Sequence, residues 1–392
     1  MASTPAALLR RPGEPLRASF LELFFDLAFV LAIGQVSEVL LADLSVAGAA
    51  RAALLLLPLW WVWVVTAWFS DWFARASGWV QALLVGTTLG VVLMSVAVPE
   101  ATGGRAVLFA GAYVAIQVGR GVVTALALRG HPLRRRTLRV LVWFGTTGIL
   151  WLVGAAWPAV RVPAWLLALA VDYGGPRLGW PTPGLGRAAP GDMRLRGGHL
   201  MERYQQIVII ALGELLITTG LVYSDTDMAA AQSAAFLLFF AAAVLIGLLY
   251  VTPAGRYLGA ALDERDPSRF GVAANDLHLV MIAGVVATSV AANLVIEHPT
   301  DRGSGMAVAL TVAGPALFLT GRVALSAGIY RRLSWPRLLG LLGILGTAAG
   351  GGYALPLLGV SATTVAVLLV VAVLERRIAR TESVPPTTRA GR

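Results

Sequence analysis

Residues 198–220 read GHLMERYQQIVIIALGELLITTG, and this stretch decides the fold. It is long and apolar enough to cross a bilayer, yet it holds Arg203, Gln206, Glu214 and Thr218 at successive spacings of three, eight and four. On a helix turning about 100° per residue, those offsets place all four on one stripe, with Ile, Leu, Val and Ala on the other faces. At about 1.5 Å per residue, Glu214 sits roughly 16 Å beyond Arg203, near the bilayer midplane. An ionisable group at that depth is costly, so it is read as functional, with a partner to be found.

The rest of the chain agrees with a membrane reading. Of 392 residues, 57% are hydrophobic and 13% charged, and the mean hydropathy is +0.76, values that exclude an ordinary soluble protein. All 31 basic residues are arginine, against 21 Asp and Glu. They cluster in short loops between apolar runs, where they orient helices, so the high pI does not point to nucleic acid. With no cysteine, disulfides, thiolate metal sites and cysteine nucleophiles are excluded. Residues 1–19 lack the apolar core of a signal peptide and are read as a cytoplasmic tail.

Apolar segments fall at 20–41, 52–70, 79–98, 106–128, 138–156, 160–174, 203–222, 229–251, 277–296, 305–328, 336–353 and 355–375. The fold expected is all-α, a polytopic bundle of about twelve helices. The sixth segment is the weakest, because Pro158 and Pro163 crowd its start and Asp172 follows soon after. With the N-terminus inside, outward loops hold only Arg51, Arg105, Arg161 and Arg302. Arg120 and Arg322 fall inside helices, and the remaining arginines lie on the cytoplasmic side, which places both termini in the cytoplasm. The expected organisation is a tail (1–19), a six-helix half (20–174), a cytoplasmic linker (175–202), a second half (203–375) and a disordered tail (376–392). The mixed-charge run 263–270 reads as a solvated loop. Gly119-Arg120 is followed by Thr124 and Arg129, and Gly321-Arg322 by Ser326 and Arg331, at identical offsets. Leu31-Ala32-Ile33-Gly34-Gln35 and Ile210-Ala211-Leu212-Gly213-Glu214 are also alike. These matches are read either as a six-plus-six parallel internal repeat or as chance in a low-complexity sequence.

Several motifs together resemble the low temperature requirement A family of bacterial membrane proteins. They are Glu22-Leu23-Phe24-Phe25-Asp26-Leu27 with Phe29-Val30, then Trp60-Trp61-Val62-Trp63, then His199-Leu200-Met201-Glu202-Arg203-Tyr204 running into Ile209-Ile210-Ala211-Leu212-Gly213-Glu214. Val171-Asp172, His278-Leu279 and Gly284 agree more weakly. The resemblance departs at Tyr250-Val251-Thr252-Pro253, where the family commonly has an acidic residue. It implies a membrane helical fold and names no reaction.

Weighed singly, Glu22 and Asp26 are four apart and share a helical face, either complementing the helix dipole or forming a proton-exchanging pair. Glu214 lies at a depth similar to Arg120 and Arg322, each nine residues from a loop arginine. The group is a ligand or proton site or a buried structural network, and as a site its excess positive charge favours an anionic ligand. Tyr113, Gln117 and Thr124 share the Arg120 stripe, and Gln35 stands at the place in the first segment that Glu214 holds in the seventh. His199 and Glu202, three apart, read as a helix cap rather than metal ligands, and no metal or cofactor is assigned. Asn275, Asp276 and His278 read as an interfacial helix end. Trp60, Trp61 and Trp63, followed by Trp68 and Trp72, are packing residues or an aromatic wall.

Three functional readings follow. The first is a permease moving a small anionic or amphipathic solute, with Glu214 and Asp26 exchanging protons and Arg120 and Arg322 holding the solute; Gln117, Gln35, Trp60, Trp63, Arg203 and Glu202 complete that site. The second is a membrane-embedded enzyme using a buried carboxylic acid on a lipophilic isoprenoid or polyketide. The third is a structural or chaperone-like membrane protein.

Overall fold

A computed structural model describes residues 9–10, 17–74, 76–188, 195–251, 267–330, 333–351 and 354–382. Among them, twelve α-helices follow one another: α1 (Phe20–Ala42), α2 (Val46–Trp72), α3 (Gly78–Ala97), α4 (Ala106–Ala127), α5 (Leu133–Ala156), α6 (Arg161–Leu178), α7 (Gly197–Ser224), α8 (Ala230–Val251), α9 (Pro267–Glu297), α10 (Gly305–Leu325), α11 (Trp335–Gly351) and α12 (Leu357–Glu382). The all-helical expectation holds. Ten of them, all but α6 and α11, are long and apolar enough to cross a membrane.

The two exceptions have plain causes. Helix α6 has 18 residues, about 27 Å at the helical rise, and includes Arg161, Asp172 and Arg177. Its Pro163 is tolerated in the first turn, where a missing N–H costs nothing. Its end is set by Gly179, which adopts the left-handed conformation (φ 69°) and donates its N–H back to the Pro176 carbonyl. Helix α11 has 17 residues and is likewise short for a hydrocarbon core of about 30 Å.

Segment edges also shift. Helix α6 extends into the expected linker, a tight turn joins Thr182 to Gly186, and α7 starts at Gly197 rather than at 203. Helix α12 continues to Glu382, so the tail expected to be irregular from 376 begins as helix. The loop at 263–266 and the departure at Thr252-Pro253 lie outside the described residues.

The chain forms two compact units. The first comprises Met1–Glu214 with Gly259–Leu279, and the second Leu215–Leu258 with Val280–Arg392. In the first, α1 packs on α2 and α3, α4 on α3 and α5, and α5 on α6. Helix α2 is buried along nearly its whole length, from Leu54 to Asp71. Its C-terminal end is covered by Phe69, Phe73, Val80, Leu84 and Leu128, against which Leu9 packs. In the second unit, α12 packs on α8, α10 and α11. There α9 and α10 approach almost backbone to backbone. A methyl group on Gly284 would lie 2.6 Å from the Gly314 carbonyl and 2.8 Å from the Phe318 nitrogen. Small residues at such a crossing are how membrane helices gain close packing without a hydrophobic driving force.

Candidate functional site

The site begins at the first turn of α1. Ser19 caps the helix by accepting from the Glu22 N–H (3.3 Å), while Glu22 Oε2 accepts from the Ser19 N–H (2.6 Å). This reciprocal cap satisfies two orphan helix donors and fixes the Glu22 carboxylate. Its other oxygen, Oε1, stands 3.1 Å from His199 Nε2. The other edge of that imidazole also faces an acid: His199 Nδ1 lies 3.1 Å from Asp71 Oδ1 at the end of α2, an ion-pair distance without hydrogen-bond geometry. Asp71 is held in turn by the Arg196 backbone N–H, which donates to Oδ2 at 2.9 Å, and by Arg10 at 3.7 Å. Glu22 and His199 are fully buried, and Asp71 nearly so. The imidazole is placed to exchange a proton with Glu22 through the hydrogen bond at Nε2, and a small rotation would bring Nδ1 into line with Asp71.

One turn further along α1 lies Asp26. Its Oδ1 accepts from Arg203 (2.7 Å) and from the Trp63 indole N–H (2.9 Å). All three side chains are completely buried. Asp26 Oδ2 is buried with no hydrogen-bond partner among the described residues. Arg203 spreads its charge: it donates to Gln206 Oε1 at 3.2 Å and lies 5.8 Å from the Trp63 ring and 6.0 Å from Phe25. Trp63 stacks on Trp60 at 4.9 Å and tilts against Tyr204 at 5.7 Å. Tyr204 stacks flat on His278 at 3.8 Å and donates to Asn275.

One turn of α2 connects this centre to a second arginine. Thr66, three residues beyond Trp63, accepts from Arg120 at 2.8 Å, and Arg120 also donates to Gln117. Both partners are neutral. No carboxylate pairs with Arg120 among the described residues, although Arg120 is buried. Below it on α4, Tyr113 donates to Asp172 of α6 at 2.6 Å.

The structure brings together Glu22, Asp26, Trp63, Trp60 and Arg203, and joins His199 and Asp71 to them. Glu202 turns away from His199 and accepts from the Ala18 N–H at 3.0 Å, fixing the approach to α1. His199 and Glu202 thus engage different partners, His199 meeting Glu22 and Glu202 the Ala18 N–H. Among the described residues no group of three or more His, Asp or Glu is arranged to hold a metal ion. Glu214 is buried on α7 beside Gly34 of α1, where a methyl group would touch its Cγ and Oε1 at 3.7 Å, and Gln35, the next residue of α1, is half-buried. It does not neutralise Arg120, whose partners are the two neutral ones. Arg322 belongs to the second unit, where its guanidinium lies 5.3 Å from the Tyr250 ring. His278 and Asn275, expected at an interface, are fully buried; only Asp276 reaches the surface, paired with Arg177. Trp60 and Trp63 are packed in the interior and do not line an open wall.

Sequence reasoning missed Asp71 as a site residue. The signal available was an acid inside an otherwise apolar run, between Ser70 and Trp72.

Ten apolar spans around a buried, hydrogen-bonded cluster of ionisable side chains define a polytopic helical membrane protein. The chain belongs to the low temperature requirement A family: residues 17–373 match the family described as Bacterial low temperature requirement A protein (LtrA). It is also similar to an uncharacterized protein of Rhizobium meliloti (strain 1021), 33% identical over 350 residues, covering 87% of this chain and 85% of the relative. No solved structure matches the chain.

Proposed function

We propose that the protein couples protons to the movement of a small anionic or amphipathic solute across the cytoplasmic membrane, with both termini in the cytoplasm. The observation that supports this most is the buried imidazole of His199 between Glu22 and Asp71, one helical turn from Asp26. A proton taken up at Asp71 passes through the His199 ring to Glu22 and then to Asp26, whose unpartnered oxygen can receive it. Protonation there leaves the Arg203 charge uncompensated in a low-dielectric interior, which an arriving anion relieves. Proton and anion uptake are thereby favourable together and costly apart. Helix α2 joins the two events, since Trp63 bonds Asp26 and Thr66 bonds Arg120. Glu214, buried beside Gly34, acts as a further exchanging carboxylate.

The test is purified protein in liposomes loaded with a pH-sensitive dye and challenged with a panel of alkyl and aromatic carboxylates and phosphates. Protein-dependent lumenal acidification with at least one solute is expected. His199→Gln and Asp26→Asn should abolish it, whereas Glu38→Gln on the exposed face of α1 should not. Acidification that survives both relay variants, or none with any panel member, contradicts the proposal.

A further inference from the structure

Between α2, α4 and α5 the first unit has a half-open pocket with an internal volume of about 80 Å³. Its walls are Phe69, Phe73, Phe144, Leu128 and Val140, and two guanidinium groups reach it, those of Arg120 and Arg136. Arg136 lies flat on the Trp72 ring at 3.6 Å, which fixes it against the wall. Arg120 has neutral partners only, and the Gln117 side-chain amide nitrogen beside it is buried with no hydrogen-bond acceptor among the described residues. A cation and an amide donor, both buried and both lacking an anionic acceptor, are expensive in a membrane interior. An apolar chamber beside them explains the arrangement if something negatively charged, with an aliphatic body, occupies it.

We propose that this cavity binds an amphiphile with a phosphate or carboxylate head on an aliphatic tail. Arg120, Arg136 and the Gln117 amide hold the head, because planar guanidinium forks match the oxygens of both acid types. The phenylalanines, Leu128 and Val140 hold the first carbons of the tail, and the rest leaves through the open mouth. This rests on the transport reading for its role as solute site, while binding itself is independent of proton flux. The same chemistry is offered by a free single-chain amphiphile and by an anionic membrane lipid.

The experiment uses the full chain purified in a neutral maltoside and measures equilibrium binding of dodecyl phosphate, dodecanoate, dodecanol and dodecyltrimethylammonium. The two acids are expected to bind roughly tenfold or more tightly than the neutral and cationic chains. Arg120→Gln should weaken the acids by a similar factor, and Val140→Trp, which fills the tail space without touching an arginine, should remove all binding. His199→Gln should lose proton flux yet bind dodecyl phosphate normally, which separates failure of the transport reading from failure of this one. Repeating the measurement in phosphatidylcholine nanodiscs with and without phosphatidylglycerol identifies the source: competition by phosphatidylglycerol assigns the site to a membrane lipid, and its absence to a free amphiphile. Equal binding of dodecanol and dodecyl phosphate, or acid binding unchanged in both Arg120→Gln and Val140→Trp, overturns the proposal.

Discussion

The pair Asp26 and Arg203 is buried completely, and its geometry predicts how it fails. Removing one charge strands the other in a low-dielectric interior, so Asp26→Asn or Arg203→Gln should each cost about 3–5 kcal/mol. Removing both together, as Asp26→Leu with Arg203→Met, should cost less than either alone. Thermal unfolding of the purified protein in detergent checks this, and additive losses would mean the two side chains are not coupled. Much of this centre was legible from residues alone, because Glu22, Asp26 and Arg203 are acids and bases on apolar helices with helical spacing. Asp71 was not legible, and His199 was legible only as a cap. Their meaning arises where the end of α2 meets the start of α7, 128 residues apart in number (199 less 71), a juxtaposition that no local pattern encodes.

At the scale of helices, packing rather than charge decides the outcome. The crossing of α9 and α10 leaves no room at Gly284, so Gly284→Val should destabilise the protein by about 1–3 kcal/mol or more through overpacking. Gly111 on α4 faces open space, and Gly111→Ala should be neutral or slightly stabilising, as expected where only helix propensity changes. Detergent melting curves for the two variants distinguish the cases; equal effects would mean that the close approach is not a structural constraint. The apolar segments foretold the helices well, since twenty-residue runs have few alternatives in lipid. Their edges were less visible. Helix α7 begins six residues before the apolar run because its first turn holds His199, a polar residue buried inside the protein that a hydropathy pattern takes for loop.

For the molecule as a whole, the arginine distribution predicts an orientation. The chain has no native cysteine, so single introduced cysteines report sidedness without background. Gly103→Cys, between α3 and α4, should react with a membrane-impermeant maleimide from outside intact cells, and His131→Cys, between α4 and α5, should react only after permeabilisation. The reverse pattern would place the proton entry at Asp71 on the opposite side and invert the direction of coupling. The most direct test of the central claim compares two transport modes in liposomes using the solute that gives protein-dependent acidification. With His199→Gln, solute exchange at equal pH should persist while accumulation driven by a pH gradient is lost. If His199→Gln accumulates solute against its gradient as well as the unsubstituted protein does, the buried imidazole between Glu22 and Asp71 does not carry the protons.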